Sequence, residues 1–336
     1  MNDNNLEWEP LDDAHRKHLA EQLARGRAVL VSGAGFSAGA LSTAQEPLPL
    51  PSALRDLLWD VAFPGEAPDE GSTLAEVFQV AASRRRQDTE RVIREALTVD
   101  PDSLSETYRI WFSLPWSIHY TLNLDNLDMA AGRRFDLPRR IKSISGLRWD
   151  LPVSGDLVSV HLNGVLDDFP DVVFSAQQYA RRAAGADPWY AHLIADISSH
   201  AVVFVGTTLN EPPLWSHVEL RGLKRGHREL RPRSYLVTPA LSRARAAMLE
   251  QFNVVWVPMT QEEFANEILA SLVDDARPGF DIVARDRTTE PTSLVQSIAD
   301  LRGGTHEDAR SFCGAVSRTG QISRVGTPSS ASSMPG

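Results

Sequence analysis

The feature that most constrains this chain is a series of six short runs that are apolar almost throughout: residues 28–31, 118–121, 157–162, 201–205, 235–237 and 254–257. A strand with one face in water alternates apolar and polar side chains. A strand covered on both faces does not need to. Runs this short, with little alternation, therefore predict strands buried on both sides. Helical patterns lie between them, the first over 11–23 with Leu11, Leu19 and Leu23 among charged residues. Ser175 with Gln178, and Thr260 with Glu263, have the spacing of capping boxes that open helices. Strands alternating with helices predict an α/β fold, a Rossmann-like doubly wound parallel sheet. Ligands bind such sheets beyond the carboxyl ends of the strands, so the residues that follow each run carry most weight.

Residues from about 52 to 114 interrupt this alternation. They read as consecutive helices over 54–59, 74–82, 89–97 and 106–112, a helical insertion packed beside the sheet. Arg84, Arg85 and Arg86 read as a solvated helix end. The ordered domain is expected to span 1–275, with the insertion inside it, and 276–336 to form a C-terminal extension. That extension carries one plausible helix over 293–301 and closes in GTPSSASSMPG, which has too little apolar surface to build a core and is expected to be disordered.

Charge and cysteine content remove several function classes. Of 336 residues, 44 are acidic and 34 basic, a net charge of −10. An acidic field repels phosphate, so nucleic acid and anionic membrane are poor direct partners. The polar N-terminus is not a signal peptide and no apolar stretch is long enough to span a bilayer, so the expected location is cytoplasmic. A single cysteine, Cys313, excludes disulfides within the chain and any zinc module built on paired Cys-x-x-Cys knuckles.

Four polar segments follow the apolar runs. Gly33-Ala34-Gly35-Phe36-Ser37 lets the backbone turn tightly and approach a pyrophosphate, or simply makes a strand-to-helix turn. Thr121-Leu122-Asn123-Leu124-Asp125 can bond an amide, a ribose hydroxyl or a water, or cap a helix. His161-Leu162-Asn163-Gly164 would point His161 and Asn163 to one face if extended, although a lone histidine is more often structural. Gly206-Thr207-Thr208-Leu209-Asn210 suits a ribose or phosphate, or another cap.

In this order, each after a strand, GAGFS, TLNLD, HLNG and GTTL resemble the sirtuin-like (SIR2) superfamily over about residues 20–275. The phrases VFVGTTLNEPPLW and FNVVWVPMTQEEF resemble its zinc-free bacterial branch, associated with antiphage defence. The resemblance implies NAD as ligand or substrate, no metal, and hydrolysis to nicotinamide and ADP-ribose; without zinc cysteines, protein deacylation is not expected. It implies that Gly33, Ala34, Gly35, Phe36 and Ser37 hold the NAD pyrophosphate. Asn123 would sit by the nicotinamide ribose and position a water, and Asp125 would orient the carboxamide. Gly206, Thr207, Thr208 and Asn210 would face the adenosine side. The family places a histidine immediately before the glycine, acting on the ribose hydroxyls; here that position is Asn163, with His161 two residues earlier, so both are candidate catalytic residues. The alternative is a non-catalytic sensor of NAD or ADP-ribose. A dehydrogenase is disfavoured, because no acidic residue stands about twenty positions beyond the glycine loop. Expected partners are further copies of the chain and an NTPase or sensor module encoded downstream, with the low-complexity ending as a linker or a truncated reading of a longer protein.

Overall fold

The computed structural model describes residues 11–148, 155–175, 178, 187–209 and 232–286. Seven strands form one sheet, all neighbours parallel, in the order β3-β4-β2-β1-β5-β6-β7. They are β1 (Ala28–Ser32), β2 (Ile118–Thr121), β3 (Ile141–Ser145), β4 (Leu157–His161), β5 (Ala201–Val205), β6 (Ser234–Val237) and β7 (Val254–Val257). Every residue of β1, β2, β4, β5 and β6 is buried. Alternate residues feed two separate cores. Ala28, Leu30, Val203 and Tyr235 pack on one face with Leu19, Trp111 and Phe264. Val29, Val31, Val160 and Phe204 pack on the other with Trp189, Leu193 and Leu249. Helices on both faces are the reason these strands are apolar without alternation.

Strand β3 has no apolar run to mark it. It lies at the sheet edge, where Ile141, Lys142 and Ser143 are not fully buried. Its sequence IKSIS mixes polar and apolar residues, as a partly exposed edge strand permits.

Around the sheet lie α1 (Asp13–Ala24), α2 (Ala34–Ser37), α3 (Pro51–Ala62), α4 (Leu74–Arg84), α5 (Arg86–Leu97), α6 (Glu106–Phe112), α7 (Leu127–Arg134), α8 (Pro188–Ser199) and α9 (Arg243–Gln251). The next, α10, starts as Gln261–Phe264, passes through a π-helical turn at Ala265–Leu269 and ends at Ala270–Leu272; α11 is Pro278–Asp286. Capping explains several starts. Thr73 and Glu76 form a capping box at α4, and Thr260 and Glu263 form the expected one at α10. Ser175 and Gln178 exchange the same pair of bonds. Helices α3 to α6 are the insertion, extended by up to a turn beyond the periodic residues. Arg84, Arg85 and Arg86 form the exposed junction of α4 and α5. The first three insertion helices enclose a third core of Leu58, Trp59, Phe78, Ala81 and Ile93, which also takes Leu124, Leu166 and Val172 from loops at the carboxyl end of the sheet. The insertion is thereby seated over the strand ends.

Residues 287–336, including the expected helix over 293–301 and the GTPSSASSMPG ending, lie outside the described residues, as does Asn210. Among the described residues no helix is long and apolar enough to cross a membrane.

Candidate active site

Parallel pairing puts Ser32, Thr121, His161 and Val205, the last residues of β1, β2, β4 and β5, in one row. The four polar segments begin immediately beyond it. From β1 the chain builds the sheet outward through β2 on one side and through β5 on the other, so this row is the switch point where open α/β sheets form a crevice.

The glycines bring two of these segments into backbone contact. Gly33 N–H donates to the Val205 carbonyl and Gly35 N–H to the Gly206 carbonyl, both at 2.9 Å. Gly206 has φ +66°, and a Cβ on it would lie 2.0 Å from the Phe36 nitrogen. A Cβ on Gly33 would lie 2.8 Å from the Gly206 oxygen. The glycine pattern thus permits the β1–α2 turn and the β5 end to pack with no side chain between them. Phe36 points its ring into the core against Tyr108, Trp111 and Phe112, and its carbonyl accepts a bond from the Tyr108 hydroxyl. Thr207 is buried and its Oγ1 accepts from Leu209 N–H, whereas Thr208 is exposed.

A cavity of about 630 Å³ opens beside the β1–α2 turn, a volume in the range of small-molecule sites. Its polar lining includes Ser37, Asn123, Asp125 and Asn163; Leu48, Leu54, Leu74, Leu97 and Phe174 contribute apolar wall. The structure therefore joins residues from three of the four segments in one site. The fourth, Gly206 with Thr207 and Thr208, adjoins the turn without lining the cavity.

Hydrogen-bond chemistry fixes how these groups point. Asn123 Nδ2 reaches the Gly33 carbonyl and Ser37 Oγ, both at 3.0 Å. A carbonyl only accepts, so the amide hydrogens are spent there and Oδ1 is left to accept from a ligand. Ser37 donates in turn to Asp125, whose carboxylate also accepts from Leu127 N–H as a helix-opening residue does. Burial raises the Asp125 carboxyl above its ordinary value, partly offset by the Ser37 hydroxyl, that N–H and the His161 charge. Asn163 Nδ2 donates to the Leu122 carbonyl at 2.8 Å, and its Oδ1 is buried without a partner. Among the described residues, no lysine, arginine or histidine lines the cavity.

His161 and Asn163 do not share an environment. Strand β4 ends at His161, so the alternation that would align them stops there. Asn163 lines the cavity, while His161 is buried behind Asn123: Nδ1 meets the Asn123 carbonyl at 3.0 Å and Nε2 meets Asp128 Oδ2 at 3.2 Å. Asp128, unmarked in the motif reading, sits one helical turn beyond Asp125 and connects deeper groups. Ser159 donates to it, His119 Nδ1 bonds Ser159 at 2.9 Å, and His119 Nε2 bonds Ser32 at 2.8 Å. Burial lowers the His119 pKa to about 4, so it is neutral. Three His, Cys, Asp or Glu side chains suited to a metal ion do not occur together among the described residues.

The chain is similar to an NAD(+) hydrolase. That relative is ThsA of Enterococcus faecium, 22% identical over 200 residues, which cover 59% of this chain and 40% of that protein. The chain thus spans about two fifths of the length of this curated relative. No family model matches.

Proposed function

We propose that the chain is a SIR2-like domain that binds NAD in this cavity and hydrolyses it to nicotinamide and ADP-ribose, acting in the cytoplasm in antiphage defence. The observation that carries the reading is the cavity's polar lining: Ser37, Asn123, Asp125 and Asn163 offer acceptor oxygens, with no cationic side chain beside them among the described residues. Such a site suits hydrogen-bond donors and positive charge. The nicotinamide riboside end of NAD has both, in ribose hydroxyls, a carboxamide NH₂ and a pyridinium ring. The phosphates then belong outside the cavity, toward the β1–α2 turn and the Gly206 segment.

The reaction needs little from the protein beyond this. The C1′–N bond breaks and its electron pair neutralises the departing pyridinium, so the leaving group needs no acid. Oxocarbenium character develops at C1′, as in other glycosidic cleavages. Asp125 opposes that charge, Asn123 Oδ1 accepts a hydrogen bond from the attacking water, and Asn163 Oδ1 accepts one from a ribose hydroxyl. Water adds to C1′ and releases its proton to solvent. NAD and water give nicotinamide, ADP-ribose and one proton. The test is nicotinamide release from NAD by the purified chain and by Asn123→Ala; equal release from both overturns the assignment.

A second reading, a non-catalytic NAD or ADP-ribose sensor, is favoured by one observation: Asn163 occupies the cavity wall and His161 does not. Calorimetric binding of NAD without cleavage would select it. We propose further copies of the chain and an NTPase or sensor module encoded downstream as its partners.

A further inference from the structure

Both ring nitrogens of His161 face groups that only accept. The Asn123 backbone oxygen is a carbonyl, and the Asp128 carboxylate already collects bonds from Ser159 and the Met129 N–H. An imidazole with acceptors at both ends satisfies both only when it carries two N–H groups, that is, as imidazolium. His161 and Asp128 are each about 2% exposed, so water does not substitute for either partner. Directions agree: burial alone would lower His161 and raise Asp128, but mutual attraction and hydrogen bonding reverse both. The other titratable groups around the ring are Asp125 on the β2–α7 loop and His119 on β2; the first adds to the attraction and the second is neutral.

Resting on the NAD reading above, we propose that His161 and Asp128 are positioning residues: a fixed imidazolium, anchored to α7 by Asp128, clamps the Asn123 carbonyl so that the Asn123 side chain keeps Oδ1 toward the cavity. The remaining links extend the clamp. Asn163 holds the neighbouring Leu122 carbonyl. The Ser32–His119–Ser159 chain ties Asp128 to β1, β2 and β4. His161 is then neither a proton acceptor nor a ribose contact. Its charge is spent on geometry.

Two arms test this. The first uses the full chain labelled with ¹⁵N-histidine. His161 is assigned by its absence from His161→Gln or, should that variant not fold, by its coupling to β4 neighbours. Expected is one ring with both nitrogens still protonated at a pH where an ordinary histidine of pKa about 6.5 is already neutral. An unprotonated His161 nitrogen at neutral pH overturns the clamp whatever the protein does to NAD. The second arm measures NAD turnover by Asp128→Asn, His161→Gln and the double variant, with folding checked by circular dichroism. Displacing Asn123 should lower kcat by up to about 10²-fold with KM little changed, and the double variant should lose no more than the worse single. Unchanged kcat, or a rise in KM alone, refutes the positioning role. Wild-type protein that binds NAD without turning it over refutes hydrolysis and leaves the first arm to decide the clamp.

Discussion

Replacing Gly206 by alanine tests whether backbone contact between two strand-end loops holds the site together. Gly206 has φ +66°, which costs an L-residue about 1–2 kcal/mol. The new Cβ would lie 2.0 Å from the Phe36 nitrogen and 2.5 Å from the Gly35 carbonyl carbon, both backbone atoms that cannot rotate aside. Relieving that contact means separating the loops, with about 1–3 kcal/mol of packing strain. It also disrupts the Gly35 N–H bond to the Gly206 carbonyl, about 1 kcal/mol net. The expected loss is about 3–6 kcal/mol, which lowers the thermal midpoint by roughly 10 °C for a domain of this size. Gly65→Ala is the control: its φ is +83°, but a Cβ there meets nothing within 4 Å, so only the backbone cost of about 1–2 kcal/mol applies. Urea and thermal unfolding of the three proteins decide the matter. Equal losses at Gly206 and Gly65 would show that loop contact contributes nothing, and the close approach would lose its explanation.

Three further outcomes are expected. Asn163→Leu removes an orphaned buried acceptor together with one hydrogen bond, so stability should stay within about 1 kcal/mol while NAD affinity falls; calorimetry beside thermal unfolding reads both, and retained affinity excludes Asn163 as a ligand contact. His119 titrates near 4 in the fold against about 6.5 unfolded, so between these values the unfolded chain binds the extra proton. Stability from this group is therefore present above pH 6.5 and declines by roughly 3 kcal/mol as pH falls toward 4, a slope that urea midpoints should show and His119→Gln should flatten. Leu54→Trp places an indole on the cavity wall, so it should block NAD binding with the protein still folded; unimpaired binding would put the ligand elsewhere.

Much of the architecture is legible in one dimension. Burial on both faces favours mostly apolar residues, so β1, β2, β4, β5 and β6 announce themselves without reference to their neighbours, and edge strand β7 does so because its sequence VVWV is apolar throughout. Capping is equally local, since Thr260 and Glu263 are three residues apart wherever the helix goes. Edge strand β3 escaped because its exposed start, Ile141 to Ser143, lets polar and apolar residues mix in IKSIS.

The site divides the same way. The segments that build the cavity follow the strands in the sequence, and within them the family resemblance picks out Ser37, Asn123, Asp125 and Asn163, which line it. Which of their neighbours line the cavity is a tertiary matter. His161 and Asn163 appear equivalent while the strand is imagined to continue; where it stops, at His161, sends one side chain to Asp128 and the other to the cavity wall. Asp128 acquires meaning only when α7 is laid beside β4, and Leu48, Leu54 and Leu74 become cavity wall only when the insertion closes over the strand ends. Periodicity and capping arise from contacts between residues a turn or two apart, so the sequence by itself determines them. A buried ion pair or a cavity wall joins residues tens of positions apart, and only chain closure decides which meet.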